Sequence, residues 1–248
     1  MKSKTTTPEQ IASLVIQRLT ELANPVRAEG AQRYFKDAFK CYGVSTVQVR
    51  ELAREIHQTV KAEWSVGDAI ALGDILLPNP FHEAKAIGIL ILEKYRKEFP
   101  ESLFRKIKTW LISNHLNNWA AVDVLCPDAV GILLIKYPEL VKEIKTWADS
   151  PNRWVRRASL VSFIKLARKK EYLDSVYQIS AAHFADKDDL IQKANGWLLR
   201  EAGKGDMGRL EKFLLGYGPS IPRTTLRYAI ERFDEKKRKN LLLATRTS

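Results

Sequence analysis

Signals for the start of a helix recur along the whole chain, and they constrain its fold more than any other feature. Thr7 precedes Pro8 and Asn24 precedes Pro25, which places a capping side chain and then a proline at the first helical position. No stretch shows the sustained alternation of apolar and polar residues that is typical of a strand. The chain is therefore predicted to be all-helical. Further starts are predicted at Ser45, Ser65, Pro80, Pro100, Asn117 or Asn118, Pro138, Ser150, Asp186, Asp206 and Pro219.

The spacing of these starts predicts how the helices assemble. The second helix is expected to span Val26 to Phe39, and the third to run from Ser45 to about Val60. Short connections make consecutive helices antiparallel neighbours, and pairs of them recur at roughly 35 to 45 residues, the period of helical-repeat solenoids. Stacked pairs would curve into a C shape with a concave groove. Since no strict consensus recurs, a compact helical bundle is the alternative.

The composition sets the class of protein. A chain of 248 residues, 45% of them hydrophobic, can bury a substantial core without a disulfide or a structural metal. We expect a single helical-repeat domain over residues 1–248, with a short disordered segment at 1–6 and a basic tail at about 236–248; two compact domains are the alternative. The cysteines and histidines show no metal-ligand spacing, so no metal and no cofactor are expected. They are Cys41, Cys126, His57, His82, His115 and His183.

The positive charge of the chain is concentrated in its C-terminal part. The formal net charge is +12, and residues 151–248 hold 21 Lys and Arg against 11 Asp and Glu. Such a field favours a polyanion as partner, because each neutralised phosphate releases counterions. No apolar run is long enough for a signal peptide or a membrane span, so we expect a cytoplasmic protein with no membrane partner. Nucleic acid is the expected ligand.

Trp119 and Asp123 form the most specific pair in the sequence. Four-residue spacing sets an indole and a carboxylate on one face of a helix, an arrangement that suits a cationic or oxocarbenium-like partner. The residues between and after them are apolar, and an acid in such a segment is costly unless it is paired or functional. The alternative is structural, with Asp123 in an ion pair between helices and Trp119 in the core.

Two elements downstream combine tryptophan with cations. Arg153 and Arg157 share a helix face with Trp154 beside it, and an arginine there could clamp a phosphate or pair with Asp123; an arginine cluster on a helix surface is the alternative. Farther along, Lys193, Trp197 and Arg200 fall on neighbouring turns of one face, as expected of a stacking platform beside phosphate-binding cations. Core packing of Trp197 is the competing interpretation.

Four blocks of the sequence carry a resemblance: Ala31–Lys36, Trp119–Asp123, Asp149–Ala158 and Ile191–Glu201. In order and spacing, from about residue 10 to 235, they resemble the DNA alkylation repair enzymes of the AlkD type. The resemblance implies a right-handed superhelical solenoid of HEAT-like repeats, with a basic concave groove. It also implies a DNA glycosylase that removes cationic purines alkylated at N3 or N7 from double-stranded DNA, acts as a monomer, and associates with the nucleoid of a bacterium.

The resemblance also assigns roles to residues. It places the catalytic carboxylate on Asp123, the two sugar-contacting tryptophans on Trp119 and Trp197, and the active-site arginine on Arg157. The DNA-binding residues are expected to be Tyr34, Arg153, Trp154, Arg156, Lys193 and Arg200.

The chain departs from the family pattern on both sides of Trp119. Family members often have an aromatic residue where this chain has Asn118, and an acidic residue where it has Ala120. Two alternatives to a glycosylase therefore stand: a non-catalytic binder of branched or distorted DNA, and a helical-repeat scaffold for other proteins.

Overall fold

The structure, a computed structural model, describes residues 6–246 and divides into two compact units after Leu125. Within this range no strand forms, and a single parallel bridge joins Lys40 to Phe81. The predicted all-helical class is confirmed. None of the helices in residues 6–246 combines the length and the apolar character that crossing a membrane requires.

The first unit consists of seven α-helices in chain order, with 3-10 turns at Gln32–Tyr34 and Glu93–Glu98. Its helices are α1 (Pro8–Glu21), α2 (Pro25–Ala31), α3 (Thr46–Val60), α4 (Val66–Leu76), α5 (His82–Leu92), α6 (Ser102–Ile112) and α7 (Trp119–Leu125).

The second unit opens on a π-helical turn at Cys126–Val130. Shorter 3-10 turns lie at Thr146–Asp149 and Gly218–Ser220. Its α-helices are α8 (Gly131–Lys136), α9 (Leu140–Lys145), α10 (Arg153–Val161), α11 (Ile164–Arg168), α12 (Leu173–Ala182), α13 (Asp189–Gly203), α14 (Met207–Tyr217), α15 (Arg223–Ala229) and α16 (Glu235–Ala244).

Side-chain caps define several of the predicted starts. Thr7 and Ser45 each form a capping box with the glutamine three residues on, and Asn24 accepts from the backbone amide of Arg27. Asp206 caps α14 in the same way, through the amide of Arg209. These starts lie where the sequence predicted them because a cap is a local interaction.

The second helix is much shorter than predicted. Instead of reaching Phe39 it ends at Ala31, and the chain turns out of helical geometry at Phe35. The side chain of Gln32 explains the difference: its amide nitrogen donates to the carbonyls of Phe35 and Asp37, and its oxygen accepts from the amide of Phe39. These bonds replace the ones that a longer helix would have made.

Helix α5 is the centre of the first unit and packs against α1, α3, α4 and α7. It carries one buried cation, Lys85. Its Nζ donates to the carbonyl oxygens of Leu77, at 2.5 Å, and His115, at 2.7 Å, beyond the ends of α4 and α6. Burial lowers the pKa of Lys85 to about 8. The lysine thus ties two helix C-termini to α5.

Helix α13 has the same central place in the second unit, against α10, α11, α12, α14 and α15. Asn195 lies fully buried on it and is satisfied by Ser180, whose carbonyl accepts from Nδ2 at 2.9 Å. The approach of α15 is closest at Gly196, where an added Cβ would lie 2.5 Å from the carbonyl oxygen of Thr225. The backbones of α13 and α15 therefore need a residue without a side chain at this position.

The basic run that the sequence suggested as a tail lies largely on a helix. Asp234 caps α16 through the amide of Lys237, and Leu241 is buried. The run Lys236 to Lys239 is therefore part of the surface of the second unit. Of the two predicted terminal segments, residues 1–5 and 247–248 lie outside the described residues.

Two histidines, the half-buried His82 and the buried His183, predict how stability depends on pH. Burial lowers the pKa of His82 to about 4, helped by the charge of Lys85. Burial likewise lowers the pKa of His183 to about 4, with Asp186 opposing the shift and Arg156 adding to it. Both rings are neutral in the folded protein at neutral pH.

Acidification should therefore destabilise the fold before its carboxylates titrate. Below a pH of about 6.5 these histidines bind protons in the unfolded chain but stay neutral in the folded protein. The free energy of unfolding therefore falls as the pH drops from there towards 4. From about pH 7.5 to about pH 5 the loss should be about 2 kcal/mol for each histidine. Urea unfolding at the two pH values measures it, and an unchanged midpoint would contradict the assignment of neutral rings.

Candidate active site

Trp119 and Asp123 lie on the same side of α7, as their spacing predicted. Ala121, Val122 and Leu125 are buried on the other side of the helix, whereas the indole and the carboxylate are partly exposed. The segment thus has an apolar face that packs in the first unit, and a second face on which Trp119 and Asp123 reach solvent. Trp119 is therefore half-buried and does not lie in the core of the unit.

The N-terminus of α7 explains what Asn118 does. Its Oδ1 accepts from the backbone amide of Ala121 at 2.9 Å, and its side chain is buried. This is the bond of a helix cap, and it fixes where α7 begins and so where Trp119 lies.

Trp119 belongs to an aromatic stack with Phe35 and Phe39. The ring centroids of Phe35 and Trp119 are 5.1 Å apart with planes 17° from parallel, and those of Phe35 and Phe39 are 3.6 Å apart at 4°. Phe39 in turn lies 5.3 Å from the ring of His82 at the start of α5. One face of the indole is therefore covered by Phe35, which restricts the approach of a ligand to the rest of the ring.

The loop that carries Phe35 and Phe39 is anchored at its far end by Glu83. This buried carboxylate accepts from the backbone amides of Tyr42, at 2.9 Å, and Val44, at 3.1 Å. Between them Gly43 has φ +75°, and a Cβ there would lie 2.7 Å from the amide nitrogen of Ala28. The loop is thus held by a carboxylate and by a glycine that no other residue replaces without strain.

Tyr34 is placed differently from its neighbour. It ends the 3-10 turn after α2 with 76% of its surface exposed, while Phe35 makes the stack with Trp119. The predicted DNA-binding tyrosine is therefore available to a ligand. Phe35, for which the sequence predicted no role, contacts Trp119 of the candidate site.

In the second unit, Arg157 lies in the middle of α10, and its side chain is buried. One guanidinium nitrogen donates to the carbonyl of Leu190 in the first turn of α13, and the side chain is 5% exposed. Asn152 caps the same helix through the amides of Trp154, at 2.8 Å, and Val155, at 3.3 Å. Arg157 therefore joins α10 to α13.

The other two arginines of this helix are paired with the loop before α13. Arg153 forms an ion pair with Asp188 at 2.9 Å, and Arg156 with Asp186 at 2.8 Å. Trp154 is buried, and the guanidinium of Arg153 lies 5.8 Å from its ring centroid. The arginine cluster thus supports the loop between α12 and α13, and Arg153 is its most exposed member.

Lys193, Trp197 and Arg200 lie on one partly exposed side of α13, as their spacing predicted. Lys193 pairs with Asp189 at 2.9 Å, and its pKa is raised, chiefly by that hydrogen bond. Arg200 pairs with Glu231. The indole of Trp197 therefore sits between two cations on a single helix face. Residues 6–246 contain no group of three or more His, Cys, Asp or Glu that could hold a metal ion.

Comparison with known proteins agrees with this arrangement of helices. The family model of the DNA alkylation repair enzymes matches residues 15–233. A solved structure, described as a predicted DNA alkylation repair enzyme from Enterococcus faecalis, shares the fold with a TM-score of 0.75 at 17% identity, covering 86% of this chain and 97% of the other. No curated protein matches the sequence. Since the family model spans most of its length, the chain belongs to the DNA alkylation repair enzyme family.

Proposed function

We propose that the protein is a monofunctional DNA glycosylase that hydrolyses the N-glycosidic bond of purines alkylated at N3 or N7. The observation that carries the proposal is the side of α7 on which Trp119 and Asp123 are partly exposed, in a chain of the DNA alkylation repair family. The reaction would use water alone as co-reactant, with no redox cofactor. The substrate would be double-stranded DNA.

The chemistry of such a substrate matches a carboxylate beside an indole. An alkylated purine of this kind already carries a positive charge, so its glycosidic bond is weak and the leaving base needs little acid catalysis. The remaining task is to stabilise the positive charge that develops on the sugar, which a carboxylate does electrostatically or by positioning water. Asp123 would have this role.

Trp119 would stabilise the same charge through its ring. The negative face of an indole attracts a cation placed over it. Because Phe35 covers one face, the ring can offer only the other, and the stack holds it in that orientation. An indole fixed before the substrate arrives loses little entropy on binding.

The roles proposed for the second unit rest on the family resemblance. Trp197 would contact the sugar, and Arg157 would hold a backbone phosphate. Tyr34, Arg153, Arg156, Lys193 and Arg200 would bind DNA around them, Arg153 and Arg156 in part by supporting the loop before α13. Trp154 is buried, so it would act through Arg153, whose guanidinium lies 5.8 Å from its ring centroid.

Release of free base from alkylated DNA tests the proposal. Duplex DNA treated with a methylating agent is incubated with the protein, and 7-methylguanine and 3-methyladenine are separated by chromatography. We expect both bases above spontaneous depurination, with the strand cut only after alkali, since a monofunctional enzyme leaves an intact abasic site. DNA binding without base release would favour the non-catalytic binder, and the absence of both would favour the protein scaffold.

Replacing Phe35 by leucine tests whether the stack orients Trp119. The single-turnover rate of base release should fall about tenfold, because an indole that can tilt no longer meets the sugar in one geometry. Duplex affinity should change less than about twofold, since Phe35 is not expected to touch DNA. Phe35→Tyr keeps the stack and should restore the rate. Equal rates for the leucine variant and the wild type would contradict the role.

A further inference from the structure

A basic pocket of about 580 Å³ lies in the second unit, outside every group of residues discussed so far as a DNA contact. It opens between the segment before α13, the loop before α15 and the end of α16. Three cations line it, Lys187, Arg223 and Arg246, together with the hydroxyl-bearing residues Ser220 and Thr224.

Arg223 is fixed in the wall of this pocket by neutral partners. One of its terminal nitrogens donates to the carbonyl of Leu242 at 3.1 Å, and the other donates to Oγ1 of Thr245 at 3.2 Å. Burial, and then the positive charges of Arg246 and Arg227, lower its pKa. Positive charges are therefore gathered here against their mutual repulsion, which an anion would relieve.

Carboxylates from the protein do not neutralise the pocket. Within the part of the chain that the structure describes, Lys187, Arg223 and Arg246 take part in no ion pair. Among the residues that line the pocket, Asp186 is the only acid, and both of its oxygens are engaged: Oδ2 by Arg156 at 2.8 Å, and Oδ1 by the amide of Asp188 at 2.9 Å.

We propose that this pocket takes a backbone phosphate of DNA, with its sugar, beyond the lesion itself. Cations together with hydroxyl donors are the groups that proteins use to hold phosphodiesters, and such contacts fix the register of the duplex without reading its sequence. The pocket deepens the proposed function and rests on it, since DNA is the ligand in both. Arg156 contributes indirectly, because its ion pair with Asp186 neutralises the only acid that lines the pocket.

Removal of the two exposed cations tests the pocket. Lys187→Ala and Arg246→Ala are combined, while Arg223 is kept because it caps the end of α16. Binding of undamaged duplex DNA is followed by fluorescence anisotropy from about 50 to about 200 mM salt. The slope of log Kd against log salt should fall by about one, and affinity at low salt should fall about tenfold, as expected for the loss of one phosphate contact.

A charge-matched variant supplies the control. Lys142 and Lys169 are exposed lysines of the same unit, outside the pocket, and their double alanine variant should keep the wild-type slope. Equal slopes for the two double variants would overturn the proposal. A free phosphate ion as ligand would also overturn it: exchanging chloride for phosphate at constant ionic strength would then raise the Tm of the wild type but not of the pocket variant, with the DNA slope unchanged.

The phosphate pocket and the glycosylase activity are refuted by different results. At saturating enzyme, the pocket variant should release alkylated bases at the wild-type single-turnover rate, because the pocket acts on binding alone. Wild-type protein that binds DNA but releases no base would refute the glycosylase and leave the pocket intact. A wild type with no salt-dependent affinity for DNA would refute the pocket.

Discussion

Replacing Asp123 by asparagine should reduce the release of 7-methylguanine by at least about a hundredfold, while duplex affinity stays within about twofold. Asparagine keeps the size of the side chain but removes the negative charge that would stabilise the sugar cation. The substitution should leave the fold unchanged, since Asp123 lies on the partly exposed side of α7 and the buried side is apolar. Single-turnover base release and anisotropy binding on the same preparations measure the two quantities.

Asp128→Asn is the matched control for this experiment. It makes the same chemical change in the next turn of the chain, at a partly exposed carboxylate that pairs with Lys165 in the second unit. We expect it to retain the wild-type rate of base release. If Asp123→Asn also retains that rate, Asp123 is not the catalytic carboxylate and the proposed mechanism is wrong.

The sequence contained the local part of the candidate site. A spacing of four residues was enough to put Trp119 and Asp123 on one side of a helix, and to put Lys193 and Trp197 on one side of another, because helical geometry is periodic. The caps at Thr7, Ser45 and Asp206 were visible for the same reason. What decides them lies within a few residues along the chain.

The support around Trp119 could not be predicted in this way. Phe35 and Phe39 were assigned to a helix, where their spacing would have set them on one side with no link to residue 119. The loop that carries them depends on the side chain of Gln32 and on Glu83, about forty residues from the amides it binds. Glu83 lies in the first turn of α5, where glutamate is common, so its burial and its partners could only be found in three dimensions.

The arginines of α10 show a second limit of sequence reasoning. Their number and spacing suggested a phosphate clamp, yet Arg153 and Arg156 pair with Asp188 and Asp186, which lie about thirty residues further along the chain. Helical periodicity predicts which side chains share a face of the helix. It does not predict which charged residues of other elements pair with them. Asp186 also lines the basic pocket, so its pairing with Arg156 affects the charge that the pocket offers to a ligand.

Replacing Gly196 by alanine should destabilise the protein by about 3 kcal/mol. The new Cβ would overlap Cβ of Tyr228 and lie 2.5 Å from the carbonyl oxygen of Thr225. Thr225 is fully buried, and its hydroxyl donates to the carbonyl of Gln192 at 3.0 Å. Backbone therefore has to move, and the strain cannot be relieved by a change of rotamer alone.

Gly216→Ala separates this packing effect from the helix propensity of alanine. Gly216 lies in α14 with no atom within 4 Å of an added Cβ, so the substitution should be neutral or stabilise the fold by up to about 1 kcal/mol. Urea unfolding of both variants gives the comparison, and equal midpoints would show that α15 can move away from α13 without cost.

Since Trp197 follows Gly196 directly, a shift of α13 away from α15 would also displace the indole. In the folded fraction of Gly196→Ala, the rate of base release should then fall further than the affinity for DNA. Gly216→Ala should leave both quantities unchanged.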